Sequence, residues 1–220
     1  MNGCLAINRA RVVLPDRVLD DATLEIEHGV ISRIQPGSSE PSRDRTENWD
    51  AGGRVVGPGF IDPHCHGDGE TFLFADPNVA VRTLLGHGTT GVLSTLGYPD
   101  MIRHGIGEQL RRCAASLDTT AREVVVGVHL EGPYTNRKYG AGTSRGVIID
   151  PDPAEYETLL RDFPDLIRWW TCAPELAGAG EFIGSAAAAG VVVAAGHSEA
   201  NLAQLTAAIA SGLRVVTHWS

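Results

Sequence analysis

The chain has 220 residues, of which 43% are hydrophobic and 20% charged, and its formal net charge is -9 at pH 7. This balance excludes an intrinsically disordered chain, and an acidic charge without a cluster of Lys or Arg argues against nucleic acid as a partner. The longest nearly uninterrupted apolar run, residues 186–196, is far shorter than the roughly 18–20 residues of a membrane span, so we expect chemistry on a small molecule away from membranes.

The N-terminus lacks the features of a secretory signal. Arg9 and Arg11 come before any long apolar run, whereas a signal peptide has a basic segment followed by an apolar core. The four cysteines lie far apart and none forms a CxxC pair. In a chain of this size, that spacing is typical of reduced thiols rather than of a disulfide framework. We therefore expect a cytoplasmic protein.

Residues 5–34 consist of short apolar bursts that are separated by turn formers such as His28-Gly29. This pattern predicts a small antiparallel β unit. Residues 35–53 are rich in Pro, Ser and charged side chains and predict a loop or linker. The predicted domains are 1–54 and 55–220.

From Val55 onwards, apolar strands alternate with amphipathic or alanine-rich helices. The predicted strands are 55–63, 89–96, 123–131, 167–173, 191–197 and 214–218. The predicted helices are 76–87, 99–117, 152–162, 178–189 and 199–211. Strands that are apolar on both faces and alternate with helices indicate a parallel sheet in an α/β fold.

Two closures of such a sheet are compatible with this order, a doubly wound open sheet and a (β/α)8 TIM-type barrel. No GxGxxG follows the first strand to favour a dinucleotide-binding unit. A complete (β/α)8 barrel has eight strands and needs about 250 residues. The sequence from residue 55 onwards provides only six predicted strands. We therefore expect an incomplete barrel, in a fragment or a truncated gene product.

Side chains that bind metals follow four of the predicted strands. His64 and His66 come at the end of the first, where the alternation of side chains puts both imidazoles on one side. Glu131, His197 and His218 end three later strands. Because the carboxyl ends of barrel strands carry the active site, we expect these five side chains to meet. Such ligands suit zinc or another first-row divalent ion in an open, catalytic site.

The remaining histidines are interpreted as ordinary surface or core residues, since a lone histidine at a strand end is more often hydrogen-bonded than metal-bound. They are His28, His87, His104 and His129. Cys65 lies between two candidate ligands, so strand alternation predicts that its thiol faces away from them and packs.

Several motifs resemble a known family. Residues 58–66, PGFIDPHCH, resemble the first-strand signature of the amidohydrolase superfamily, and residues 129–133, HLEGP, resemble a signature of the N-acetylglucosamine-6-phosphate deacetylase family. Three further motifs resemble that family in the same order, namely Ala173-Pro174-Glu175, residues 196–200 and Thr217-His218. The resemblance implies that residues 1–54 include half of a small β-sandwich preceding the barrel.

The resemblance also implies roles for the strand-end residues. Glu131, His197 and His218 match the ligands of the family's principal metal, while His64 and His66 match a pair that some members keep for a second metal. One or two ions are implied, with zinc expected and iron as the alternative. The aspartate that acts as general base and acid is implied at the end of strand eight, beyond Ser220. The full-length protein is expected to form a homodimer.

The implied reaction of the full-length protein is deacetylation of N-acetylglucosamine 6-phosphate to glucosamine 6-phosphate and acetate. Lys138, Ala141 and Gly142 match a substrate-binding loop after strand three, but Gly142 stands where the family usually has a histidine. This departure leaves open a related amidohydrolase acting on another N-acyl amine or a cyclic amide. The missing aspartate leaves open an inactive truncated product.

Three polar residues near the candidate ligands are interpreted structurally. We expect Glu175 to hydrogen-bond the N-terminus of the helix that follows it. Ser198 and Glu199 are expected to open the last predicted helix, as its N-cap and its first-turn acid.

Overall fold

The computed structural model describes residues 4–37, 46–97, 101, 105–136, 138–139 and 150–218. These form two compact units, Met1–Gly59 and Phe60–Ser220. The division falls slightly later than the predicted boundary between 54 and 55. The reason is that Val55 and Val56 pair with the first strand of the N-terminal unit.

The first unit is a five-stranded sheet in the order β3-β2-β1-β4, with β5 also paired to β1. Its strands are β1 (Cys4–Val13), β2 (Val18–Glu27), β3 (Val30–Pro36), β4 (Thr46–Asp50) and β5 (Val55–Val56). The first three strands are antiparallel, as the apolar bursts predict, and Ala10, Val12 and Leu24 lie in the small core.

The prediction of a loop over 35–53 is wrong for β4, which runs parallel to β1. This strand is polar, and polar pairs link it to β1. Arg9 donates to Asp50 at 2.9 Å, and Asn8 Nδ2 donates to Asn48 Oδ1 at 3.1 Å. Hydrophobic patterning does not detect a strand of this kind, because its apolar content is low.

The second unit is a six-stranded parallel sheet in the order β11-β10-β9-β8-β7-β6. Its strands are β6 (Phe60–Cys65), β7 (Thr89–Leu96), β8 (Val125–Glu131), β9 (Ile167–Cys172), β10 (Val192–Ala195) and β11 (Val215–Val216). Its helices are α1 (Pro77–Gly86), α2 (Ile106–Ser116), α3 (Thr119–Val124), α4 (Pro153–Asp162), α5 (Ala179–Ala188) and α6 (Leu202–Ser211).

The strand order decides between the two closures. In a doubly wound sheet the order reverses at a switch point, whereas here each strand lies beside its predecessor in the chain. The helices pack on one face, where Leu130, Trp170 and Phe182 are buried in the main core. This arrangement is a partial (β/α)8 barrel, so the predicted fold class is confirmed.

Several predicted element boundaries are wrong, and two of them have a clear local cause. The strand expected over 55–63 is divided into β5 and β6, because Gly57-Pro58-Gly59 interrupts it and proline cannot donate to a strand ladder. The strand expected from 123 begins two residues later, after the short helix α3, which Asp118 caps by accepting from Ala121 N at 2.8 Å. No helix in the described part of the chain has the length and apolarity to cross a membrane.

A glycine allows close packing inside the curled sheet. A Cβ atom at Gly196 would lie 2.6 Å from Thr171 Cγ2 and 3.0 Å from Thr217 Cβ. Only a residue without a side chain fits there. The backbone directly after β10 therefore approaches its neighbours closely, just before His197.

Candidate metal site

The five strand-end side chains that the sequence predicts come together around one carboxylate. Glu131 ends β8, and its side chain is only 11% exposed. Its Oε1 lies 2.8 Å from His197 Nε2, 3.3 Å from His218 Nε2 and 3.4 Å from His64 Nε2. Its Oε2 lies 3.0 Å from His66 Nε2. Four imidazole nitrogens thus surround the two carboxylate oxygens.

The first pair of imidazoles comes from β6. His64 and His66 lie on the same side of the strand, with ring centroids 5.3 Å apart. Cys65 between them is buried with Leu73 and Val92 in a separate apolar cluster. The prediction that its thiol packs away from the ligands is confirmed.

The other two histidines have an unusual backbone. His197 has φ 49° and His218 has φ 55°, both in the left-handed region that side chains other than glycine rarely adopt. Such conformations cost about 1–3 kcal/mol and persist where the surrounding structure holds them. At each of these histidines the backbone turns, just after the strand has ended.

The Glu131 carboxylate is held ionised, and burial favours the neutral form of the His218 imidazole. Burial raises the pKa of Glu131, but hydrogen bonds from His197, His64 and His66 outweigh it and bring the pKa well below its usual range. Burial lowers the pKa of His218, against the opposing charge of Glu131. Ionised carboxylates and neutral imidazoles are the forms that bind metals.

The donor set fits a divalent metal. The ligand atoms of His64, Glu131 and His218 lie within 4.8 Å of one another. Zinc with nitrogen and oxygen ligands at about 2.0–2.2 Å places neighbouring ligand atoms roughly 3.4 Å apart in a tetrahedron. The distances of 2.8–3.4 Å between Glu131 and the imidazoles are close to that spacing. Glu131 and the four imidazoles around it could therefore hold an ion.

His129 lies beneath this group rather than within it. It is fully buried, its ring packs edge-on against His64 at 4.5 Å between centroids, and its Nε2 is 2.8 Å from Thr171 Oγ1. Thr171 Oγ1 is in turn 3.0 Å from Thr217 Oγ1. Burial, with the neighbouring His64, lowers the pKa of His129 to about 3, so the ring is neutral. This is a hydrogen-bonded core histidine, as predicted, and it supports His64 from below.

The prediction for Glu175 is wrong. The helix that follows it, α5, begins after Gly178 with no side-chain cap. Glu175 instead accepts hydrogen bonds from Asn136, Ser198 and the backbone N–H of Glu199. Sequence reasoning missed this role because the donors lie on two other loops.

The prediction that Ser198 and Glu199 open the last helix, as its N-cap and its first-turn acid, is also wrong. Helix α6 begins at Leu202, where Asn201 and Gln204 form a capping box. This reciprocal pair satisfies two backbone donors and fixes the helix start. The signal is visible in the sequence as an asparagine three residues before a glutamine.

The predicted substrate loop is described only in part. Lys138 Nζ donates to Glu199 Oε2 at 2.6 Å, and its side chain is 66% exposed. Ala141 and Gly142 lie outside the described residues, as does His104. Of the three predicted substrate-binding residues, the structure thus describes Lys138 alone.

Comparison with known proteins gives a consistent set of relatives. No protein-family model matches the chain. N-acetylglucosamine-6-phosphate deacetylase of Homo sapiens is 31% identical over 189 residues, which cover 81% of this chain and 46% of the relative. The chain therefore spans about half the length of the curated relatives it matches.

Solved structures agree with these relatives. N-acetyl-D-glucosamine-6-phosphate deacetylase from Mycobacterium smegmatis matches 98% of this chain and 60% of its own, with 30% identity and a TM-score of 0.75. A mutant of that enzyme in complex with N-acetyl-D-glucosamine-6-phosphate matches 98% of this chain and 55% of its own, with 30% identity and a TM-score of 0.76. The matches confirm the family resemblance that the motifs predict.

Proposed function

We propose that this chain forms the metal-binding half of an N-acetylglucosamine-6-phosphate deacetylase. The observation that carries the proposal is that the carboxylate of Glu131 and the four imidazole nitrogens around it meet at the carboxyl ends of four strands. Active sites of β/α barrels lie at this edge. The relatives of the same name support the choice of reaction.

The chain's own residues bind and orient in this proposal. Glu131, His197 and His218 hold the principal ion, and His64 with His66 either complete its coordination or hold a second ion. A divalent ion bound there, for which we propose zinc, supplies Lewis acidity that polarises an amide carbonyl and activates water near neutral pH. His129 keeps the face beneath His64 free of water, because its buried ring fills that space.

The proposed substrate is N-acetylglucosamine 6-phosphate, and the products are glucosamine 6-phosphate and acetate. The proposal concerns the whole protein, since the chain spans about half the length of its relatives. Lys138, with Ala141 and Gly142, is proposed to contact the sugar phosphate. The position of Lys138 supports this, because its partner Glu199 is two residues from His197.

Metal content tests the proposed site. Elemental analysis of the folded chain should find stoichiometric zinc or iron, and Glu131→Ala and His197→Ala should each lose it. Glu157→Ala is the matched control, because Glu157 is an exposed carboxylate on α4. Folded wild-type chain without metal, or equal metal in all four proteins, would refute the site.

A substrate panel tests the reaction separately. The whole protein should hydrolyse N-acetylglucosamine 6-phosphate and strongly prefer it over unphosphorylated N-acetylglucosamine. Equal or faster hydrolysis of other N-acyl amines or of cyclic amides would favour the related amidohydrolase, for which Gly142 is the supporting observation.

We further propose that the whole protein is a cytoplasmic homodimer. The four cysteines are unpaired, which suits a reducing compartment. Light scattering on the whole protein checks the dimer, and cell fractionation checks the compartment. A monomer, or recovery outside the cytoplasm, would contradict the respective proposal.

A further inference from the structure

The carboxylate of Glu175 joins loops that follow three neighbouring strands. It follows β9, and its Oε1 accepts from Asn136 Nδ2 at 2.9 Å and from the backbone N–H of Glu199 at 2.7 Å. Its Oε2 accepts from Ser198 Oγ at 2.6 Å. Asn136 follows β8, whereas Ser198 and Glu199 follow β10. Both oxygens are therefore used, on partners from either side.

The hydrogen bonds keep this carboxyl group ionised. Burial raises the pKa of Glu175, but the donors Ser198, Glu199 and Asn136 outweigh it and bring the pKa below its usual value. Hydrogen bonds to a charged acceptor contribute more than those between neutral groups. The hydrogen bonds to Glu175 are thus stronger than bonds between neutral groups would be.

The hydrogen bonds of Glu175 and Asn136 hold the backbone around His197. Its carbonyl oxygen accepts from Asn136 N at 2.8 Å, and the next two residues are the ones bound to Glu175. His197 also has the left-handed backbone, which needs support from its surroundings. Its Nε2 ends 2.8 Å from Glu131 Oε1. A small change of the backbone here moves the imidazole relative to the carboxylate.

We propose that Glu175 is a positioning residue that fixes His197 for metal binding by joining the loops after β8 and β10. The inference rests on the proposed function, because His197 is a ligand only if the site holds a metal. In this proposal Glu175 does not bind the ion itself. It acts through Asn136 and Ser198, which have no other assigned role.

The test measures zinc affinity by competition with a chromophoric chelator, together with unfolding of the metal-free chain. Glu175→Gln keeps the shape but replaces one acceptor oxygen with a donor. It should raise the dissociation constant for zinc about 10–100-fold, the usual effect of losing a residue that orients a ligand. Ser198→Ala removes one donor and should give a smaller increase. The double variant Glu175→Gln/Ser198→Ala should raise the dissociation constant by less than the product of the two single increases, because the two residues are in contact.

Glu155→Gln is the matched control. Glu155 is also a partly buried carboxylate that accepts a side-chain hydrogen bond, from Tyr134 at 2.9 Å, and it lies on α4. It should reduce stability without changing zinc affinity. If Glu175→Gln lowers stability while its zinc affinity stays at the wild-type value, the role is merely structural and the inference is wrong.

A second measurement separates this inference from the proposed function. If wild-type chain binds no zinc, the proposed metal site fails, and ring signals of His197 are then compared by NMR in metal-free chains. Glu175→Gln should shift or broaden the signal of the His197 ring that is bound to Glu131. An unchanged His197 signal would overturn the inference. Should Glu175→Gln not fold, Ser198→Ala provides the same comparison.

Discussion

The candidate ligands on central strands differ from those on the terminal strands of the described sheet. Glu131 and His197 follow β8 and β10, each of which has neighbours on both sides, and their side chains are 11% and 17% exposed. His66 and His218 follow β6 and β11, at the two ends of that sheet, and are 42% and 51% exposed. His64, also on β6, is 21% exposed, and its ring packs against the buried His129. The difference teaches that neighbouring strands and loops, rather than the ligand residues alone, hold a ligand in place.

The largest expected effect compares one ligand from each group. His197→Ala should reduce zinc affinity by more than about 100-fold, beyond the loss of a supporting residue, because it removes a nearly buried ligand whose position is fixed. His66→Ala should cost about 10-fold or less, since His66 is more exposed. Chelator competition measures both. Equal losses would break the comparison between central and terminal strands.

The close packing inside the central strands gives the next effect. Gly196→Ala should reduce the free energy of unfolding by about 3 kcal/mol, the upper end for overpacking, because the new Cβ would lie 2.6 Å from Thr171 Cγ2. Gly86→Ala is the control, since a Cβ at this helical position has no neighbour within 4 Å. It should stabilise by about 0.4–1 kcal/mol. Urea unfolding tests both, and a neutral Gly196→Ala would contradict the packing argument.

The sequence predicts the site well because its ligands follow from a local rule. Apolar runs locate the strands, and the carboxyl ends of parallel strands share one edge, so Glu131 and His197 could be brought together without knowing any contact. The His-x-His spacing works in the same way, because it depends on alternation within one strand. The alternation of strands and helices likewise predicts a parallel sheet, but the order of its strands comes from the structure.

The support around the ligands could not be predicted, because it depends on contacts between distant residues. Glu175 lies 39 positions from Asn136 and 23 from Ser198, and nothing near it in the sequence indicates either partner. The polar strand β4 was missed for a similar reason, since its pairs with β1 are distant in sequence. Local sequence patterns identify which residues lie at the ends of the strands. The hydrogen bonds between loops join residues that are far apart in the sequence, so they are seen only in the folded structure.

The polar interior beneath the site gives a smaller effect. Thr171→Val keeps the shape but removes the oxygen bonded to His129 Nε2, leaving a buried nitrogen without that partner. The free energy of unfolding should fall by about 1–2 kcal/mol, within the range for an unsatisfied buried group. Thr90→Val, at an exposed position of β7, should change it by less than about 0.5 kcal/mol. Equal changes in the two variants would mean that the His129 hydrogen bond contributes nothing.

The smallest effect is expected at the exposed side of the loops. Lys138→Ala removes an ion pair with Glu199 in which both side chains are exposed and screened by solvent. We expect no measurable change in unfolding or in zinc affinity. Glu199 contributes to the support of His197 through its backbone N–H and not through the side chain that pairs with Lys138. In the whole protein, the same variant should raise KM for the phosphorylated sugar if Lys138 contacts the phosphate. If Lys138→Ala loses zinc affinity, the exposed Lys138–Glu199 pair supports the ligands in the same way as the hydrogen bonds of Glu175. The comparison between buried support and exposed surface would then be wrong for this pair.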